Sequence, residues 1–105
     1  MPKNVRPISY QDLRQHMEQW QWRDPKTGVM VTGYNPPAKA KEVRQRPFYC
    51  RYITIKGVVE QGEMICLKVF THEHQRMVQF TASKQIRRIR DYLVMEVNGI
   101  RVVTH

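Results

Sequence analysis

The second half of the chain is dominated by alternation of apolar and polar residues. A period of two is typical of β-strands, whose successive side chains point to opposite faces of a sheet. The dipeptide Asn98-Gly99 is a strong hairpin signal, because both central residues of a type I′ turn need a positive φ; it predicts that Val97 pairs with Ile100. We predict strands over residues 48–58, 63–71, 76–81, 92–97 and 100–104.

A helical period marks the N-terminal region. Leu13, Met17 and Trp20 recur at i, i+4 and i+7, which places them on one face of a helix. Ser9 stands where its hydroxyl can cap the first amides of that helix. We therefore predict a helix from residue 10 to about residue 19, with its apolar face packed in the core.

A turn signal follows the predicted helix. Residues 24–28 read DPKTG, with proline at an early central position and glycine where a positive φ is needed. Because apolar runs at 20–22 and 29–32 flank this turn, we predict a short hairpin. The helix and the hairpin both claim residues 19–22, and the sequence leaves this boundary open.

Composition divides the chain into four segments of a single domain, residues 1–105. They are an N-terminal arm (1–8), a helix and short hairpin (9–34), a basic connector (35–47) and an antiparallel sheet (48–105). The connector has two prolines near its start and few apolar residues, so it is either a solvated loop or a flexible arm that neutralises phosphates. Its basic residues are Lys39, Lys41, Arg44 and Arg46.

These elements predict an α+β fold, in which an N-terminal helix packs on a bent antiparallel sheet of about five strands. Short strands and tight turns also suit closure into a small SH3-like or OB-like barrel. Residues 84–91 fit a short helix with Ile86 and Ile89 on one face. The same residues fit a bent strand, so this segment stays open between helix and strand.

The charge of the chain indicates which classes of partner it binds. Lysine and arginine number 18 against 9 aspartates and glutamates, a net charge of +9 on 105 residues. A compact protein with this excess repels itself, and such a charge commonly serves binding to a polyanion, above all nucleic acid.

The cysteines and the apolar runs point to the compartment. Cys50 and Cys66 are too few for a disulfide scaffold, and we expect each to be buried as a small apolar residue. The sequence shows no signal peptide and no apolar run long enough to span a membrane. We therefore expect a reducing, cytoplasmic setting and no membrane partner.

The candidate hairpin of residues 48–71 carries the sharpest functional hypothesis. If residues 60–62 form its loop, Ile53 faces Val69 on an aliphatic core side and Tyr52 faces Phe70 on the other. Bases would then stack on the two aromatic rings while lysines contact phosphates. The residues on this second side are Tyr52, Lys56, Lys68 and Phe70.

Other positions for the aromatic side chains stay open at this point. Tyr52 and Phe70 could instead pack under the N-terminal helix, whose apolar face needs a partner. Trp22 and Tyr34 would offer further stacking surfaces if they are exposed.

A second basic run lies in the segment 84–91. It places four cations within a few residues, which suits contact with adjacent phosphates, although Asp91 could pair with Arg87 or Arg88. The cations are Lys84, Arg87, Arg88 and Arg90.

The sequence gives little support for a metal site or an enzyme. His72 and His74 would share one face of a strand, but nothing in the spacing specifies further zinc ligands, so we expect an exposed turn there and no metal. No glycine-rich phosphate loop and no local signature of a serine or cysteine nucleophile occurs. We therefore predict a protein that is not an enzyme and that uses no cofactor.

Two functions fit these observations. The first is a non-catalytic nucleic-acid-binding protein that uses mainly phosphate contacts, with base stacking in addition. The second is a small basic protein-interaction module, an adaptor or inhibitor, that docks on an acidic protein partner. The same residues would serve both functions, so the sequence alone does not separate them.

Overall fold

The computed structural model of the protein describes residues 6–103. Its helical elements are one α-helix, Arg14–Met17 (α1), and two 3-10 helices, Tyr10–Asp12 and Asp91–Leu93. Its strands are Ile8–Ser9 (β1), Trp20–Arg23 (β2), Met30–Gly33 (β3), Lys41–Gln45 (β4), Phe48–Ile53 (β5), Val59–Phe70 (β6), Gln75–Phe80 (β7), Ile86–Arg90 (β8), Val94–Val97 (β9) and Ile100–Val103 (β10).

The strands form two sheets. Seven of them make a mixed sheet in the order β1-β10-β9-β5-β6-β7-β8, and three make a small antiparallel sheet in the order β3-β2-β4. In the larger sheet β1 runs parallel to β10, and the other neighbours are antiparallel. Strands β1 and β8 are its two edges, so residues 6–103 form no closed barrel. The predicted α+β fold and its barrel option are therefore wrong, because the described chain is mostly β.

The predicted N-terminal helix is much shorter than expected. It is reduced to a 3-10 turn followed by α1, because Trp20 and Trp22 continue as a strand that pairs with both β3 and β4. The Ser9 hydroxyl accepts a hydrogen bond from the Gln11 amide, as predicted for the N-cap. None of the helices within residues 6–103 has the length and apolar character needed to cross a membrane.

The smaller sheet confirms the predicted hairpin and corrects the connector. Strands β2 and β3 pair across the turn at residues 24–28, where Gly28 adopts a φ of 72° and donates its amide hydrogen to the Asp24 carbonyl. Five residues of the predicted connector, Lys41–Gln45, form β4, which pairs with the other side of β2. The basic residues there therefore lie on or beside an ordered strand rather than on a structureless arm.

Trp22 anchors the smaller sheet against Gly33. A Cβ added at Gly33 would lie 2.8 Å from the Trp22 ring, so Gly33→Ala is expected to displace the indole and cost about 1–3 kcal/mol. Tryptophan emission and thermal unfolding measure both effects. Thr32→Ala, at an exposed neighbour, is the control. An unchanged emission spectrum and midpoint in Gly33→Ala would contradict this packing.

The turn between β5 and β6 lies earlier than predicted. Phe48 pairs with Met64 and Ile53 with Val59, so residues 60–62 lie inside β6 and the predicted register is wrong. The turn is formed by residues 54–58, where Gly57 has a φ of 86° and donates its amide hydrogen to the Thr54 carbonyl. The tight turn requires a positive φ at this position, and glycine adopts such a φ without steric strain.

One face of the larger sheet, which we call the inner face, carries the core. It presents Phe48, Cys50 and Tyr52 from β5, and Leu13 and Met17 pack against it as predicted. The predicted aliphatic core side is wrong for β5, because Ile53 points to the opposite, outer face, whereas Val69 of β6 packs against the core as predicted. Beyond β5, Ile55 is 72% exposed in the turn.

Arg76 joins the helical turn to the sheet in a buried ion triad. The guanidinium is 5% exposed; its Nε donates to Asp91 at 3.1 Å, and its Nη1 donates to Glu18. Burial disfavours the charge on Arg76, but the two carboxylates outweigh this effect and raise the pKa of the guanidinium. Asp91 therefore pairs with Arg76, and its predicted pairing with Arg87 or Arg88 is wrong.

The segment left open between helix and strand is the edge strand β8. Ile86 is 52% exposed and Ile89 is 2% exposed, because a separation of three residues places them on opposite faces of a strand. The Asn98-Gly99 hairpin is confirmed, with Val97 opposite Ile100. Predicted strand residue 104 and arm residues 1–5 lie outside the described residues, whereas Ile8 at the end of the arm belongs to β1.

Candidate nucleic-acid interface

The outer face of the larger sheet brings together several predicted contact residues. A β-bulge shifts the register between Cys66 and Lys68, so that Lys68 and Phe70 point outward although Cys66 points to the core. Across the sheet, Lys68 lies in one row with Met77 and Arg88, and Phe70 lies in the next row with Gln75 and Arg90. Tyr92 lies two residues after the end of β8, in the 3-10 helix Asp91–Leu93. We call Lys68, Phe70, Arg88, Arg90 and Tyr92 the outer patch.

Phe70 is the centre of the outer patch. The ring is half-buried, and its centroid lies 3.9 Å from the Arg88 guanidinium carbon and 5.2 Å from the Lys68 ammonium nitrogen. The Nε of Arg88 also donates a hydrogen bond to the side-chain oxygen of Gln75. The ring and the amide together hold the guanidinium over Phe70.

Tyr92 extends the outer patch beyond the end of β8. Its hydroxyl accepts a hydrogen bond from Arg90 Nη1 at 3.3 Å, and the side chain is 43% exposed. The sequence reasoning missed this residue. The available signal was its position, because an aromatic residue stands two positions after Arg90, just beyond the basic segment 84–91.

The cations of the outer patch have no carboxylate partner within residues 6–103. The rows that contain Lys68 and Phe70 hold no aspartate or glutamate, and none of the ion pairs in the described chain involves Lys68, Arg88 or Arg90. Their charge is therefore available to an external anion. By contrast, Arg87 points to the inner face, where its Nε lies 3.4 Å from Oε1 of Glu60.

Tyr52 does not belong to the outer patch. It is 3% exposed on the inner face, where its hydroxyl donates to Glu60, and it lies opposite Glu60 and Val94 rather than Phe70. Burial, together with the neighbouring carboxylate, raises the pKa of its hydroxyl. The predicted stacking role of Tyr52 is therefore wrong for this fold, and its alternative position in the core is the observed one.

The remaining predicted basic residues lie elsewhere. Lys41 and Arg44 belong to β4 of the smaller sheet, where Glu42 pairs with Arg23; this ion pair lowers the pKa of the Glu42 carboxyl. Lys39 and Arg46 flank that strand. Lys56 lies in the exposed turn after β5, and Lys84 lies in the turn before β8.

The other proposed stacking residues are also removed from the outer patch. Trp22 is buried at 9% exposure, and Tyr34 is half-buried with the Arg14 guanidinium 4.6 Å from its ring centre.

The histidines and cysteines carry no visible site chemistry. His72 and His74 lie in the exposed turn after β6, as predicted. Cys50 and Cys66 are free and buried, as predicted, and burial raises the pKa of the Cys50 thiol to about 12. No group of three or more metal-ligating side chains occurs in the part of the chain that the structure describes.

The outer patch can therefore bind anions and stack planar groups, both without any covalent chemistry. Its cations are carried by neighbouring strands of one sheet, and cationic side chains placed in this way can contact phosphate oxygens. Compared with family models, with curated proteins and with solved structures, the chain matches none.

Proposed function

We propose that this chain is a non-catalytic nucleic-acid-binding protein and that the outer patch is its contact surface. The observation that carries the proposal is the grouping of Lys68, Arg88 and Arg90 around a half-buried aromatic ring, with no carboxylate in their rows. The net charge of +9 supports it, because long-range attraction raises the rate of encounter with a polyanion.

Each residue of the outer patch has a distinct role in this proposal. Lys68, Arg88 and Arg90 contact phosphates, and Arg88 has a second role. Arg88 serves as a stacking platform, because Phe70 and Gln75 hold its guanidinium plane in place and an unpaired base can lie on the open side. Bases in a duplex are already stacked on one another, so the preferred partner is a single strand.

The two free, buried cysteines support a reducing compartment, and we place the protein in the cytoplasm on that ground.

The first test is the salt dependence of binding. Fluorescence anisotropy against labelled single-stranded and duplex DNA and RNA is expected to show tighter binding to a single strand. Three phosphate contacts imply a loss of about 10- to 30-fold in affinity between roughly 50 and 200 mM salt. Equal binding to duplex and single strand would overturn the stacking role of Arg88. No binding at low salt would overturn the proposed function.

A further inference from the structure

A cleft of about 390 Å³ runs along the free edge of β8. One wall is the edge strand itself, and the other is the turn at residues 54–58. Tyr52 and Leu93 lie among its lining residues. We call it the edge cleft. Arg88 and Arg90 of the outer patch line it as well, whereas Lys68 and Phe70 do not.

The backbone of β8 presents hydrogen-bonding groups without a partner strand along this free edge. The amide of Asp91 donates to His74 and the amide of Phe80 donates to Gln85, which fixes the odd-numbered residues of β8 as those bonded to β7. In an antiparallel pair the intervening residues direct both backbone groups the other way. The amides and carbonyls of Ile86, Arg88 and Arg90 therefore point away from β7. In agreement with this, the Ile86 carbonyl accepts a hydrogen bond from the side chain of Arg87.

The walls of the edge cleft combine apolar and basic side chains. Ile55 and Val58 of the turn are 72% and 55% exposed and together supply an apolar surface on one wall. The basic residues that line the cleft are Lys56, Arg87, Arg88 and Arg90. Its one carboxylate, Glu60, already accepts from the Tyr52 hydroxyl and pairs with Arg87.

We propose that an extended acidic segment of a partner protein binds in the edge cleft by adding a strand to β8. Its backbone would bond to the outward groups of Ile86, Arg88 and Arg90, and alternate side chains would contact the apolar turn. Charge complementarity selects an acidic segment and opposes a second copy of this chain, because arginines line the edge and the net charge is +9. This inference does not rest on nucleic-acid binding.

The test uses a labelled synthetic peptide of about eight residues in which glutamate alternates with valine, long enough to span the five residues of β8. Anisotropy is expected to show binding. A peptide with the same sequence but N-methylated at every second residue is expected to bind about tenfold more weakly, because it cannot form one side of the ladder. Hydrogen exchange at the amides of Ile86, Arg88 and Arg90 is expected to slow only with the unmethylated peptide.

A matched pair of variants locates the binding. Ile55→Asp places a negative charge on the wall of the edge cleft and is expected to weaken peptide binding about tenfold. Val29→Asp makes the same change at an aliphatic residue that is 60% exposed in the turn of the smaller sheet, and it is expected to leave binding nearly unchanged.

A third variant tests the backbone contact itself. Ile86→Pro removes an amide that points away from β7, so the fold is retained while strand addition is expected to weaken about tenfold. Thermal unfolding of the variant verifies that β8 is intact. If this fold-competent variant binds the peptide as tightly as the parent, the strand-addition proposal is wrong.

Several results would overturn the inference. Equal binding of the methylated peptide, or equal losses in Ile55→Asp and Val29→Asp, would show attraction by overall charge alone. Concentration-dependent protection of the β8 amides without peptide would assign the edge to a second copy. Protection by a single-stranded oligonucleotide but not by the peptide would assign the edge cleft to nucleic acid. Failure of oligonucleotide binding, measured separately, would leave the peptide result unaffected.

Discussion

Replacing Arg76 by methionine is expected to lower the free energy of unfolding by about 3–5 kcal/mol. Arg76 is 5% exposed and is bonded to Glu18 and Asp91, so the substitution leaves the buried Asp91 without a counter-charge and leaves Glu18 with only the exposed Arg14. The loss is a large share of the roughly 5–15 kcal/mol that stabilises a typical domain. Urea unfolding followed by tryptophan fluorescence measures it.

The control for this prediction is Arg14→Met. Arg14 lies 3.5 Å from Glu18, but its side chain is 59% exposed, so water already screens the ion pair. Its removal is expected to cost less than about 1 kcal/mol.

A variant that replaces Arg76, Glu18 and Asp91 together by apolar residues separates two explanations. If unpaired buried charge is the cause, this variant is expected to recover most of the lost stability. Equal destabilisation in Arg76→Met and Arg14→Met would show that the ion triad does not hold the helical turn on the sheet.

Local turn chemistry explains which parts of the fold could be predicted from the sequence. The turn at residues 24–28 and the Asn98-Gly99 turn each concentrate their signal in adjacent residues, and both hairpins form. The β5–β6 turn could not be located because two glycines competed for it. Gly57 forms the turn, whereas Gly62 lies in β6, where an added Cβ would be 3.0 Å from the Phe80 ring.

Nonlocal pairing explains what could not be predicted. Trp20 and Trp22 fit either the end of a helix or a strand, and only their pairing with β3 and β4 decides between them. The inner face of β5 was likewise undetermined, because both faces carry large apolar residues. The sequence therefore left Tyr52 open between a solvent-facing position and the core, where it packs.

The same limit applies to the candidate site. The sequence grouped Arg87 with Arg88, but a strand sends neighbouring side chains to opposite faces. Arg87 consequently meets Glu60 on the inner face, and Arg88 meets Phe70 on the outer face. The bulge after Cys66, which places Lys68 and Phe70 outward, left no local signal in the sequence that we could use.

Replacing Arg88 and Arg90 together by glutamine is expected to weaken binding of a single-stranded oligonucleotide by about 100-fold at low salt, since each charged hydrogen bond to phosphate contributes roughly 1.5–3 kcal/mol. The control replaces Arg51 and Arg101 by glutamine. These exposed residues lie on the same sheet face and flank Glu96, and their loss changes the net charge equally. The control is expected to weaken binding only a few-fold, through the long-range field.

Salt titration and one further variant make this comparison decisive. In the Arg88/Arg90 variant the slope of log affinity against log salt is expected to fall by about 1.4, the value for two lost phosphate contacts on a single strand, and in the control it is expected to stay nearly constant. Arg88→Lys retains the charge but removes the planar group that lies on Phe70, so it separates stacking from charge. A loss of affinity for single strands that exceeds the loss for duplex would support the stacking role. Equal losses in the Arg88/Arg90 variant and the control would show that net charge alone attracts the nucleic acid, and the outer patch would then have no special role.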